Sequence, residues 1–286
     1  MSAPLADDRA PEPTMLERLW RSQHDAAHRS PRMRLTGRSP LAPGARLWFV
    51  GAVGELEVAE RLRALGTRGE AWRVLHSVPV GDGVRDVDHV VIGPAGVFTL
   101  TTENHPGKRV VVWDHSVIAD GESTPYLRDS VVGAGRVSIL LETALGRPVP
   151  VAPLVVVLGA THLRIAQQPE EVVIVRAAAI ERHLRGLPAI LTVDEVRELT
   201  RAALKPRTWH PRPALAAPPA EASAAPDSRA PEALPTQAEL QSWFARVRAE
   251  VDGARRIRAA WAVGAAAALL LAVVLEAPTV VQGLLG

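Results

Sequence analysis

Hydrophobic and polar positions alternate in two runs, residues 86–92 and 97–102, on either side of Gly93-Pro94-Ala95-Gly96. β-Branched runs joined by a short Gly/Pro loop predict a β-hairpin. If the two glycines close the turn, Asp88 stands opposite Thr101 and Asp86 opposite Glu103. Directly opposed residues share one face of a sheet, with Cβ atoms about 4.5–5.5 Å apart. One end of the hairpin then gathers three carboxylates and a hydroxyl, while the rest is apolar enough to be buried. Like charges placed face to face need a ligand, a cation or open water to offset their repulsion.

The pattern on either side predicts the partners of this hairpin. A helical period runs from about residue 45 to 65, with Val50, Leu56, Val58, Leu62 and Leu65 apolar and Glu55, Glu57 and Glu60 among them. Residues 72–80 read as a first strand, and Gly81-Asp82-Gly83 as a turn. After the hairpin, residues 108–113 and 115–118 read as short strands, and 125–146 as a helix buried through Val137, Leu140 and Leu141. Residues 149–158 are apolar without alternation, which predicts a central strand covered on both faces. A further strand at 172–176 and helices at 177–185 and 193–204 close the series. The last helix is entered through Thr192 with Glu195 three residues on, a capping-box pattern. The expected fold is α/β, a mixed sheet flanked by helices.

Beyond this core the pattern changes character. Residues 1–14 are polar and proline-rich, which predicts no signal peptide. A short helix follows Thr14, and 28–43 read as a basic, proline-punctuated linker. Residues 206–236 are rich in Pro and Ala and are expected to be a disordered linker. Residues 237–253 have amphipathic spacing through Leu240, Trp243, Phe244 and Val247. From Ala259 to Leu275 there is no charge at all. At 1.5 Å per residue that segment spans roughly 25 Å, a little short of the hydrocarbon layer of a bilayer. Arg255, Arg256 and Arg258 precede it, and no Lys or Arg follows. This predicts a C-terminal transmembrane helix with the globular domain on the cytoplasmic side. The expected organisation is 1–43 helix and linker, 44–205 globular domain, 206–236 linker, 237–253 amphipathic helix, and 254–286 membrane anchor.

Composition narrows the chemistry. The chain has 286 residues, 47% of them hydrophobic but only 4% aromatic, so its core is aliphatic. With no cysteine, disulfides, thiolate metal ligands and a cysteine nucleophile are excluded. A net charge of +2 does not by itself point to nucleic acid. No phosphate loop, serine-hydrolase elbow, zinc-protease helix or dinucleotide fingerprint occurs.

The hairpin carries a resemblance. Gly54-Glu55 in a helix, then Asp88-His89-Val90-Val91-Ile92-Gly93-Pro94-x-Gly96-Val97-Phe98, then Thr102-x-Asn104-His105-x-Gly107, resembles the nuclease-related domain, NERD. That family is similar to the restriction-endonuclease-like fold, whose site combines a helix Glu, a strand Asp and a Glu-x-Lys on the next strand. The resemblance implies that Glu55 and Asp88 are retained catalytic positions. The Glu-x-Lys positions fall on Thr101 and Glu103, so both are changed.

Three readings follow from these residues. In one, Glu55, Asp88 and Glu103 hold a magnesium ion for phosphodiester hydrolysis, with nucleic acid as substrate. In the second, the fold persists without chemistry, as a binding or scaffold module with no cofactor. Thr101 is a poor cation ligand, and Glu103 inverts the charge where a lysine is expected. In the third, the carboxylates are a solvated strand end, with Arg85 and Lys108 as counterions. His89 falls on the face opposite Asp88, and His105 follows the hairpin closely enough to approach the site.

Overall fold

The computed structural model describes residues 14–24, 31–66, 72–81, 86–209 and 235–285, in two compact units. Arg85, most of the 81–83 turn and residues 210–234 of the expected linker lie outside the described residues. One unit takes in residues 49–230 and the other residues 16–48 and 231–286, so the boundary falls inside a helix, α3 (Ala45–Gly66).

The first unit is mixed α/β. Its strands are β1 (Arg73–Val78), β2 (Val87–Gly93), β3 (Gly96–Asn104), β4 (Arg109–Trp113), β5 (Ser116–Ala119), β6 (Glu122–Thr124), β7 (Val151–Leu158), β8 (His162–Ile165) and β9 (Val173–Arg176). The larger sheet has the order β1-β2-β3-β7-β9, and the smaller one β6-β5-β4-β8. β2 and β3 form the expected hairpin, with Gly93 against Gly96, Ile92 against Val97 and His89 against Leu100. Gly93 is required there by close approach, since a Cβ would run into the Trp72 ring.

The unalternating 149–158 run becomes β7, which pairs in parallel with β3 on one side and β9 on the other. Leu154, Val156 and Leu158 join one core and Val155 and Val157 another, so the strand is buried on both faces. The first core lies under α3 (Ala45–Gly66), through Val58, Leu62 and Leu65. The opposite face is covered in part by α4 (Tyr126–Leu145), through Val137, Leu140 and Leu141. The third core joins the two sheets, through Val110, Val112, Val117 and Ile174.

After β9 come α5 (Ile180–Gly186) and α6 (Val193–Ala203). Thr192 and Glu195 make the expected capping box. The domain expected to close at residue 205 continues through a further turn, Pro206–Trp209. Trp209 is 1% exposed, and its Nε1 donates to the Ala203 carbonyl at 2.8 Å. Proline and arginine around this tryptophan made the turn read as linker; burial of one large ring decides otherwise. β6 and β8 were not expected either. β6 buries no residue and β8 only Leu163, so neither carries a periodic signal.

The second unit is helical. It contains α1 (Met15–Gln23), α2 (Pro31–Leu35) and a long C-terminal helix, Gln237–Leu285. α2 lies within the stretch that reads as linker. Gln23 ties α1 to the chain ahead of α3, donating to the Pro40 carbonyl at 2.8 Å and accepting from the Ala42 amide at 2.7 Å. The amphipathic and apolar C-terminal segments, expected as separate elements, are one continuous helix. It passes through Glu276 and Pro278 without a break. From residue 237 to 273 it is long and apolar enough to cross a membrane, and none of its most apolar window is buried.

Candidate functional site

Strand alternation decides which candidate residues share a face. In the parallel β3–β7 ladder Thr101 stands beside Val155 and Glu103 beside Val157. Those valines belong to the core shared with the smaller sheet. Thr102 and Asn104 stand beside Val156 and Leu158, on the face under α3. Glu55 is carried by α3, so the helix glutamate and the 101/103 pair belong to opposite faces of the sheet.

Gly54 sets how closely that helix approaches. A Cβ at this position would lie 2.9 Å from Asn104 Cβ and 3.2 Å from Thr102 Cγ2. Asn104 Nδ2 reaches the helix backbone, donating to the Val50 carbonyl at 2.8 Å. Without a side chain at residue 54, the end of β3 and the middle of α3 meet backbone to side chain. Gly54 and the Asn at the strand end are thus one packing device.

Asp88 has a defined task. The main-chain pairing of the hairpin runs only from Gly93–Gly96 to His89–Leu100, one pair short of the expected Asp88–Thr101 opposition. At that point Asp88 Oδ2 accepts the Thr102 amide at 2.6 Å, so a carboxylate stands in for a main-chain carbonyl. The distortion extends to β1, where Ser77 has φ 50 and the pairing passes from His76–His89 to Val78–Val87. Strict alternation would put Val87 on the face of Val91, yet it shares a core with Val90 and Ile92. The alternation of faces therefore breaks around Asp88 and His89 while the β1–β2 register is kept.

The nuclease reading requires a divalent cation held by Glu55, Asp88 and Glu103. Among the described residues, no group of three or more His, Asp or Glu is placed to hold a metal ion. As arranged, the side chains do not fit such a group. Thr101 offers a hydroxyl where a carboxylate is implied, and Asp88 already accepts a hydrogen bond through one oxygen.

His89, expected on the face away from Asp88, is 2% exposed and pairs with His76, Nδ1 to Nδ1, at 2.8 Å. One ring must donate and the other accept, so the two cannot both be protonated. Burial lowers the His89 pKa to about 3, with the neighbouring His76 adding to the effect. Burial also lowers that of His76, helped by the charge of Arg63. Sequence reasoning missed this pair, although both histidines fall where β1 and β2 register. His105 is buried beside the Tyr126 ring at 5.6 Å, and burial followed by the charge of Lys108 lowers its pKa. A cleft of about 570 Å³ lies elsewhere, lined by Asp114, His115, Arg128 and Glu170 among others. It includes none of Glu55, Asp88, Thr101 and Glu103.

These contacts lie in the stretch that compares with known proteins. Residues 50–158 match the nuclease-related domain, NERD. The chain contains a NERD domain. The match opens just before Gly54-Glu55 in α3 and closes at the end of β7, so it holds every candidate residue. β9, α5 and α6 complete the fold outside the matched region. No curated protein and no solved structure matches the chain.

Proposed function

We propose that this is a membrane-anchored NERD protein whose domain binds or scaffolds and does not cleave. The observation that carries the reading is the contact between Asp88 and the Thr102 amide. The one strand carboxylate the family pattern retains is used to terminate a β-ladder. Thr101 and Glu103 add to it. A lysine facing a scissile phosphate stabilises charge in the transition state, and losing one such group typically costs about 10²–10³ in rate. A glutamate there repels phosphate instead.

In this reading residues 44–205, with the turn to Trp209, form the working module. Residues 210–236 are a tether by composition. The segment from Ala259 to Leu275 enters a bilayer, and Arg255, Arg256 and Arg258 keep its N-terminal side cytoplasmic. The reading needs no cofactor. The competing reading is a magnesium-dependent nuclease with a rearranged carboxylate site, favoured by the retention of both Glu55 and Asp88. The test is to incubate the purified full chain with DNA and RNA in magnesium or manganese. No cleavage is expected. Metal-dependent cleavage that disappears in Asp88→Asn establishes the nuclease instead.

A further inference from the structure

The second unit places an N-terminal turn against the foot of the apolar helix. Trp261 Nε1 donates to the Leu35 carbonyl at 2.8 Å. Gly37 is buried with φ +68, and a Cβ there would lie 2.6 Å from the Ala254 carbonyl oxygen and 2.8 Å from Arg258 Cγ. The chain after α2 therefore lies directly on the C-terminal helix over residues 254–261, where that helix changes from polar to apolar. Such proximity is open only to glycine in a left-handed turn.

Charge at this level is mainly positive. Arg32, Arg34, Arg255, Arg256 and Arg258 are all exposed. Residues 31–48 contain no Asp or Glu, and neither do residues 253–275. The carboxylate paired with this group is Asp252, 3.6 Å from Arg255 Nη1. Just above the arginines, Leu35 is 68% exposed and Trp261 64% exposed, although the two are joined by a hydrogen bond. From Arg258 to Trp261 the helix rises by roughly 4.5 Å. The interfacial layer of one leaflet is on the order of 5–8 Å deep. Cations at phosphate depth with a tryptophan and a leucine just above them match that layer from outside to inside.

We propose that the turn around α2 and the foot of the C-terminal helix form one collar that binds anionic phospholipid headgroups. The inference rests on the membrane reading above. The collar gives a use to the basic N-terminal stretch, which the NERD domain leaves unexplained. It recruits Arg32 and Arg34, more than two hundred residues away in sequence, to the same leaflet as Arg256 and Arg258. Each arginine near an anionic surface contributes about fivefold in affinity.

The experiment purifies the full chain in a nonionic detergent with equal amounts of phosphatidylglycerol and phosphatidylcholine, then counts the lipid retained. Phosphatidylglycerol is expected in excess, and R32Q/R34Q is expected to cut that excess about twenty-five-fold. R32K/R34K, which keeps the charge, is expected to restore it and so excludes misfolding as the cause. Millimolar inorganic phosphate is expected to displace nothing. Equal retention of the two lipids, an unchanged excess in R32Q/R34Q, failure of the lysine variant to restore it, or displacement by phosphate overturns the collar. Membrane retention after alkaline carbonate tests the underlying reading separately. If the unmodified chain is extracted, the membrane reading fails; if it is retained while the lipid preference is absent, only the collar fails.

Discussion

Asp88 Oδ2 accepts the backbone amide of Thr102 at 2.6 Å, across the point where the β2–β3 hairpin stops pairing through its main chain. A half-buried amide left without an acceptor loses more than the net worth of one hydrogen bond. The carboxylate therefore contributes to the fold itself. Asp88→Ala is expected to destabilise the chain by about 1–3 kcal/mol, whereas Asp88→Asn, whose carbonyl still accepts, stays close to the parent. Urea unfolding of both variants checks this. Equal stability of Asp88→Ala and the parent removes the structural role.

Gly54 is held to its identity by Asn104. Gly54→Ala is expected to cost about 1–3 kcal/mol through overpacking against β3, even though alanine is the better helix former. A thermal-unfolding midpoint unchanged or raised by the substitution contradicts the packing of α3 on the strand end.

The His76–His89 pair predicts how stability depends on pH. In the folded chain burial keeps both rings neutral, and His89 protonates only near pH 3. In the unfolded chain the rings protonate near 6.5. Below that value the unfolded state binds more protons, so stability is fully present above about pH 6.5. It is lost as pH falls toward 3, at up to about 1.4 kcal/mol per pH unit for each such histidine. Denaturation midpoints at pH 7, 6 and 5 measure the slope, above the range of most carboxylates. Replacing both histidines with leucine and phenylalanine, as H76L/H89F, is expected to flatten it.

The changed family positions permit a restoration test. T101E/E103K rebuilds the Glu-x-Lys of the family, but with Glu55 across the sheet the variant is expected to stay inert; metal-dependent cleavage that appears in it and vanishes when Asp88→Asn is added contradicts that placement. Asparagine is chosen because it keeps the Thr102 contact while removing the charge. A rebuilt variant that stays inert, with its fold intact by circular dichroism, attributes inactivity to the placement of Glu55 across the sheet.

For the tail, the full chain is expected to remain with membranes after alkaline carbonate, and a chain ending at Pro235 to be soluble. Full-length protein recovered without detergent contradicts the anchor.

Much of this protein was settled by sequence pattern alone. The Gly93–Gly96 turn and the alternation around it specify the hairpin register, because a one-residue slip would exchange the two faces of β2 and take Val91 out of one core and Val90 and Ile92 out of another. The unbroken apolar run at 151–158 specifies a strand covered on both faces, and β7 is that strand. Thr192 and Glu195 specify a helix start through purely local bonds. The uncharged C-terminal segment is likewise its own statement of solvent preference. Each of these signals resides in neighbours along the chain.

The candidate site was legible only as a set of names. That Glu55 rides on the helix across the sheet from Thr101 and Glu103 depends on which core each face of β3 joins, and no local pattern encodes it. Asp88 reads as one of a facing set of carboxylates, yet where the alternation of faces breaks its oxygen meets a backbone amide. Trp209 and α2 were read as linker because their burial or contacts are supplied by residues distant in sequence. Local periodicity records what each segment presents to water, whereas the partner that meets it is chosen by packing of the whole chain. That is why the strands and helices follow from the sequence and the assignment of Asp88 follows only from the tertiary structure.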